Sequence, residues 1–374
     1  MRERPDNGGA DDCRPLPRRG PARRDGSPGL STAAGVVRVL VATDKFRGFA
    51  SGPTASRAIA AGLRATGCAA DVRSVGDGGE GTIDAVWRIA GGHRTRLPAV
   101  DAWGRRVEAQ LLRLPTGETL IEAADVLGVA NRPDPAGLPP PSTALGELIR
   151  LVAPVVRDLL VVCLGGTAVV DGGIGACEAL RWQPWGPPTL VAADVDIPYA
   201  SVVGRFGAQK GVPGHLVDQY ESELRRASEV LRARSGRDVA QIPRAGAGGG
   251  LAGALACLGA DVRGGFATFD ALTGFSRSMG HADVLVTGEG RVDESTWLGK
   301  APGELLRAAH RKGMPAGLVA GAIDDGSRTT VGAMCRHWVA LNEQGSASRR
   351  TPEVALYHSG AEMGKAIRQN RDGS

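Results

Sequence analysis

Short β-branched runs that alternate with helix-patterned stretches are the feature that most restricts this chain. VVRVLVATD (36–44) is apolar and too brief for a core helix, so it reads as a buried parallel strand. FASGPTASRAIAAGLRATG follows, with Ser51 as N-cap, Pro53 in the first turn and Gly67 as the stop. CAADVRSV (68–75) gives a second strand, and GEGTIDAVWRIAGG gives a helix closed by glycines. That order predicts a parallel sheet. Residues 94–125 then alternate apolar and polar side chains around short turns, the pattern of an antiparallel meander. A helix near 143–155, strands at 158–166 and 191–196, and a long amphipathic helix near 214–235 come next. Strands at 282–290, 315–322 and 337–342 restore the βα order. The expected fold is α/β: a doubly wound sheet built from both chain ends, 36–94 plus 262–370, with a mixed α/β domain inserted at 95–261.

A chain of 374 residues suits two domains and a sizeable core. The first 35 residues are set apart by their Pro, Gly, Arg and Asp content. They have no apolar segment of a signal peptide and are expected to be disordered. The net charge is +5, but 40 of the 45 basic residues are Arg, and no stretch interleaves aromatics with clustered cations. Nucleic-acid binding is therefore not expected. No apolar run approaches the roughly 18–20 residues of a membrane helix. Six cysteines lack metal or disulfide spacing, which favours a reducing cytoplasm.

Four Gly-rich, acid-bearing turns carry the chemistry: SVGDGGEGT (74–82), LGGTAVVDGGIG (164–175), RAGAGGGLAG (244–253) and VTGEGRVDESTWLGK (286–300). Ligands of open parallel sheets sit at the carboxyl ends of strands. Asp44, Asp77, Asp194, Asp196, Gly288 and Glu289 all fall at such ends. A single strand-end Asp is more often a turn or cap; several together suggest one site. Clustered carboxylates suit a divalent cation, and successive glycine amides suit a phosphate. Among only five lysines, Lys210 in FGAQKG and Lys300 in LGKAPG lie beside glycines, where each could meet a phosphate as a point charge. A Walker A sequence is absent, and no strand leads into a clean GxGxxG with its ribose-binding acid, so a nicotinamide enzyme is not expected.

The ordered set ATDKFRG (42–48), GDGGEGT (76–82), GGTAVVDGGIG (165–175), ADVD-P (193–198), FGAQKG (206–211), AGAGGGLAG (245–253) and TGEGRVDESTWLGKAP (287–302) resembles the bacterial type I glycerate kinase family, from about 37 to 368. The resemblance implies a discontinuous Rossmann-like domain with an inserted α/β domain. It also implies ATP- and Mg²⁺-dependent phosphorylation of D-glycerate, and it leaves a homodimer open. On this reading Asp194 or Asp196 orients the acceptor hydroxyl or holds Mg²⁺, with Asp293 as a further metal ligand. Lys210 and Arg47 meet the substrate carboxylate or the moving phosphoryl group. Asp44, Asp77, Gly78, Gly79, Glu80, Gly165, Gly166, Asp171, Gly248, Gly249, Glu289, Asp293 and Lys300 line the substrate and phosphate site. Closure of two domains would exclude water. The chain departs from the family pattern at Lys45 and Arg47, at the Val169–Val170 pair, at Ile197, at Ser142–Leu145 and at Ser295. Several of these remove hydrogen-bonding groups, so a related hydroxy acid, or a non-catalytic role, is the alternative.

Overall fold

The structure, a computed structural model, describes residues 35–134, 137–343 and 351–372. The tail expected to be disordered lies outside these residues except for Gly35. From Val36 onward the chain forms one compact unit.

β1 (Arg38–Thr43) shows how the alternation is used. Val39 and Val41 enter one core, and Leu40 and Ala42 enter another. Successive side chains of a strand point to opposite faces, so a strand covered on both sides must be apolar throughout. β1 pairs in parallel with β2 (Ala69–Val72) on one side and with β9 (Val284–Val292) on the other. β10 (Ala316–Ile323) and β11 (His337–Ala340) complete the first sheet, in the order β11-β10-β9-β1-β2. The strand order reverses between β1 and β9, which is where an open sheet leaves a crevice. β9 ends two residues later than the 282–290 run suggests, at Val292. Gly288 and Glu289 therefore sit inside the strand and not at its end.

α1 (Gly52–Ala65) starts as expected: the Ser51 hydroxyl accepts the Thr54 amide at 3.3 Å. α2 (Thr82–Ala90) follows β2 across the Gly-rich turn 73–81. The middle of the chain builds a second sheet from β3 (His93–Val100), β4 (Arg106–Arg113), β5 (Glu118–Glu122), β6 (Leu159–Cys163), β7 (Thr189–Ala193) and β8 (Asp261–Gly264), in that order. β3, β4 and β5 pair antiparallel, as the meander reading predicts, and β5 to β8 are parallel.

Three cores alternate with the two sheets. α1 and the helix Pro352–Asp372 cover one face of the first sheet. The middle core takes Leu40, Leu285 and Leu318 from the first sheet and Leu120, Val161 and Ala192 from the second. The far core holds Leu145, Val162, Val191, Leu231 and Leu251. Val169, Val170 and Ile197 are buried in that far core, at 0%, 2% and 1% exposure. The polar groups that the family pattern carries at these positions are thus replaced by core side chains. An Asn at 169 will cost roughly 2–4 kcal/mol, since it is buried without a designed partner and removes packed methyls. Urea denaturation should show this loss.

Among the described residues no helix is long and apolar enough to cross a membrane. Cys68, Cys163, Cys177, Cys257 and Cys335 are buried and form no disulfide.

Candidate active site

The crevice between β1 and β9 holds a charged cavity of about 370 Å³. Asp44 follows β1 directly, and its amide donates to the Gly288 carbonyl at 2.9 Å. Glu289, Gly290 and Arg291 line the cavity from β9, and Asp293 and Lys300 from the segment beyond it. Asp77, Gly79 and Glu80 come from the turn before α2. The second sheet contributes Gly166, Asp194 and Gln209 from across the crevice. The carboxyl ends of both sheets therefore meet at one place.

Six carboxylates face four cations here, and burial makes the imbalance expensive. Burial and then the neighbouring Asp77 charge push Asp44 up to about 6, against the pull of Lys45 and Lys300. The same two causes raise Asp194 to about 6. Burial lifts Glu289 to about 8, although Lys300 and a 2.7 Å hydrogen bond from the Thr296 hydroxyl favour its charge. For Asp293 burial is outweighed by the Ser295 hydroxyl, Lys300 and two backbone amides, so it stays below its usual range. Ser295, a departure from the family pattern, bridges Asp293 and Lys300; its hydroxyl accepts from the Lys300 ammonium at 2.5 Å. Lys45 pairs with Glu80 at 2.7 Å. Arg47 is exposed and has no ion-pair partner among the described residues. One acceptor stands out: Asp194 Oδ1 is buried with no hydrogen-bond partner among the described residues.

The turn carrying Asp77 and Glu80 is held from the other sheet. Glu122, at the end of β5, is 5% exposed and accepts the Ile83 amide at 2.7 Å and the Gly81 amide at 3.0 Å. Its carboxylate caps α2, which has no side-chain cap of its own. Burial raises it to about 7 despite those two amides. Nothing in the local sequence around Glu122 marks this role; the partner lies 39 residues away in the chain. Glu122→Ala should cost about 1–3 kcal/mol for each orphaned amide, and Glu122→Gln, which keeps one acceptor oxygen, should cost less. Chemical denaturation of both variants checks this. Where the two sheets' turns touch, Gly165 donates its amide to the Gly78 carbonyl at 2.9 Å. A Cβ on Gly165 would lie 2.4 Å from Gly79 Cα and 2.8 Å from Asp194 Oδ2, so only glycine permits this approach.

The cavity gathers ten of the residues expected from sequence: Asp44, Arg47, Asp77, Gly79, Glu80, Gly166, Asp194, Glu289, Asp293 and Lys300. Gly78 and Gly165 lie just behind them. Lys45, Gln209 and Arg291 join them, though the sequence patterns did not select them.

Five expected residues lie elsewhere. Asp196 turns into a separate cavity and pairs with Arg244 at 2.9 Å, because the strand stops at Ala193 and the chain bends at Asp194 and Val195. Asp171 is consumed as a local cap, accepting the amides of Ser142, Gly173 and Gly175. Gly248 and Gly249 are buried and pack the far core. A Cβ on Gly249 would meet the Val169 carbonyl at 1.9 Å, and its φ of +75° also requires glycine. Lys210 ends the helix Val202–Lys210 and is not in an open turn. It is buried, donates to the Thr167 carbonyl at 2.6 Å and hydroxyl at 3.2 Å, and stands behind the cavity wall. Burial lowers it to about 8, against the pull of Asp194.

The fold and cleft define an α/β protein that gathers clustered carboxylates and cations in one polar cleft between two sheets. Sequence and structure comparisons carry this further. The sequence profile of the glycerate kinase family matches residues 39–186 and 188–360. The chain is 31% identical over 322 residues to an uncharacterized protein of Synechocystis, covering 76% of this chain and 85% of that protein. It is 28% identical over 327 residues to a glycerate kinase of Halalkalibacterium halodurans, covering 77% of this chain and 86% of the relative. It is 27% identical over 344 residues to the glycerate 2-kinase of Escherichia coli K12, covering 81% and 89%. A crystal structure described as glycerate kinase 2 from Salmonella typhimurium LT2 shares the fold, with a TM-score of 0.67 at 21% identity over 90% of this chain and all of that one. This chain belongs to the glycerate kinase family.

Proposed function

We propose that the protein transfers a phosphoryl group from ATP to a hydroxyl of D-glycerate, with Mg²⁺ as cofactor. The observation that carries this reading is the buried, unpartnered Asp194 Oδ1 beside Asp77, in a cavity that also holds four cations. An orphaned carboxylate oxygen among mutually repelling acids suits a cation that the protein alone does not supply.

The donor set fits Mg²⁺. Among the described residues no three acidic or thiol or imidazole groups form a ready cage. Mg²⁺ is ordinarily bound through one or two carboxylates with waters and substrate phosphates completing its shell. Asp194 and Asp77 are the residues that would hold it. Bound there, the ion would neutralise charge on the phosphates. The other roles belong to this chain's own groups. Lys300 and Arg47 attract the anionic substrates, and Ser295 fixes the Lys300 ammonium. Asp44 is poised near neutrality to take the proton of the acceptor hydroxyl. Lys210, tied to Thr167, supports the Asp194 charge from behind. Phosphoryl transfer asks for alignment and charge neutralisation more than covalent help, which suits such a site.

The substitutions at Val169, Val170 and Ile197 lie in the far core. They take no polar group from the cavity and give no support to a different acceptor.

The test is ADP release by the full chain from ATP and Mg²⁺, with and without D-glycerate. Release should depend on glycerate, and Arg47→Ala should raise the KM for glycerate about 10–100-fold, the worth of one charged hydrogen bond. ATP binding without glycerate stimulation would remove glycerate as the acceptor. No nucleotide binding at all would remove the kinase reading.

A further inference from the structure

A second cavity of about 600 Å³, with a different character, adjoins the charged one. Its lining includes Phe49 and Ala50 beside the core residue Phe46 in the turn after β1, and Val129 and Ala130 of the turn Val129–Asn131, which the short helix Ala124–Leu127 separates from β5. Its charged groups are Lys45, Arg47 and Glu80, and these same three also face the charged cavity. The two spaces thus share a boundary that carries two cations. Its volume lies in the roughly 300–1,000 Å³ range of small-molecule pockets, which are mainly apolar with a few polar anchors.

A nucleoside triphosphate has an aromatic end and a polyanionic end. The two cavities divide in the same way. The Lys45–Glu80 pair at the boundary is partly exposed, with side-chain exposures of 28% and 49%. Exposed pairs are worth about 0–1 kcal/mol, so a phosphate can take Lys45 from Glu80 at little cost. A third cavity, beside the start of α1, also adjoins the charged one and has Lys45, Arg57 and Arg88 on its wall. It is smaller, at about 320 Å³, and it presents Asp44, Asp77, Glu80 and Asp84. A flat apolar ring laid there would desolvate carboxylates without pairing them.

We propose that the purine nucleoside of the phosphoryl donor lies in the cavity between Phe46–Ala50 and Val129–Ala130, with its phosphates crossing Lys45 and Arg47 into the charged cavity. The proposal rests on the reading of the protein as an ATP-dependent kinase. It assigns the turn Val129–Asn131, which no sequence motif marks, to donor binding.

The experiment is photolabelling of the full chain with 8-azido-ATP, with and without excess ATP, followed by peptide mapping. It is paired with the kinetics of Ala130→Trp, a filling substitution at an exposed position. The expected result is ATP-protected label on the peptides that hold Phe46–Ala50 or Val129–Ala130. The variant should show a KM for ATP raised at least tenfold and a KM for D-glycerate within twofold of the parent. Protected label on the peptides of Arg57 or Arg88, with Ala130→Trp unchanged, overturns the assignment and leaves the kinase reading standing. No protected label, with no nucleotide binding by calorimetry, removes the kinase reading and the proposal with it. If Ala130→Trp does not fold, the label alone decides between the two cavities.

Discussion

Asp194→Asn will lower turnover by about 10²–10³-fold, the usual loss when one charge-stabilising group is removed from a transfer site. It will also leave a protein that resists heat better at pH 8. Both effects have one cause. Asp194 is held charged in a buried place beside Asp77, at the expense of the folded state. The rise from its ordinary 3.8 to about 6 corresponds to roughly 3 kcal/mol of destabilisation once the group has ionised. The neutral amide removes that strain together with the negative oxygen that the proposed cation needs. Steady-state kinetics with D-glycerate and thermal melts at pH 8 without divalent cations are the two readouts. Turnover within threefold of the parent, or a lower melting temperature at pH 8, would defeat the argument. Stability lost for the sake of a site is a common trade.

The second large effect is on pH. Without divalent cations the protein will lose stability as pH rises from 5 to 8. Asp44, Asp125, Asp194, Glu122 and Glu289 all have folded values above their ordinary ones, chiefly through burial. For such groups the stabilising contribution is whole below about pH 4, where both states are protonated. It is lost as pH climbs through the folded values, at about 6 for the three aspartates, about 7 for Glu122 and about 8 for Glu289. Lys210 has the opposite sign. Its value is lowered to about 8, so its contribution grows only above that pH and does not offset the carboxyl loss below it. The expected fall in melting temperature between pH 5 and 8 is roughly 5 °C or more, given about 1 kcal/mol from each aspartate inside this window, more from the two glutamates, and a few degrees per kcal/mol. Millimolar Mg²⁺ should restore more of it at pH 8 than at pH 5, because only the ionised site binds the cation. A melting temperature that rises across this window, or a Mg²⁺ shift independent of pH, would show that these carboxyls are already neutralised by other means.

Much of this was legible because the signals were local. The period of β1, the Ser51 cap and the antiparallel alternation of β3 to β5 depend on neighbours in sequence. So did the strand-end placement of Asp44, Asp77 and Asp194. The misplacements share a reason as well. Asp194 and Asp196 are two residues apart and would share a face if the strand continued, but β7 ends at Ala193 and the parity is lost. Gly248 and Gly249 look like a phosphate cradle, yet their left-handed backbone lets one turn lie against another. A Gly-rich turn does not reveal whether a ligand or a second stretch of backbone approaches it. Glu122 was missed because its meaning comes from α2, 39 residues back in the chain. Lys210 reads as an open-turn lysine because sequence does not show that Thr167 closes over it.

The middle core has a consequence for how such a protein can be altered. Leu40 and Leu285 from one sheet and Leu120 and Val161 from the other share the same oil. Each sheet has a core of its own on its outer face, but its inner face is covered only by the other half. The acids are divided in the same manner, Asp44, Asp77 and Glu289 on one side and Asp194 on the other. A fragment of either sheet would expose half of an apolar slab and carry an incomplete set of charges. A cut at 94/95 and 261/262 would therefore run through a shared apolar layer and a shared set of charges. Change that spares this layer falls on exposed rim positions such as Gly48 and Ala130, which none of the three cores contains.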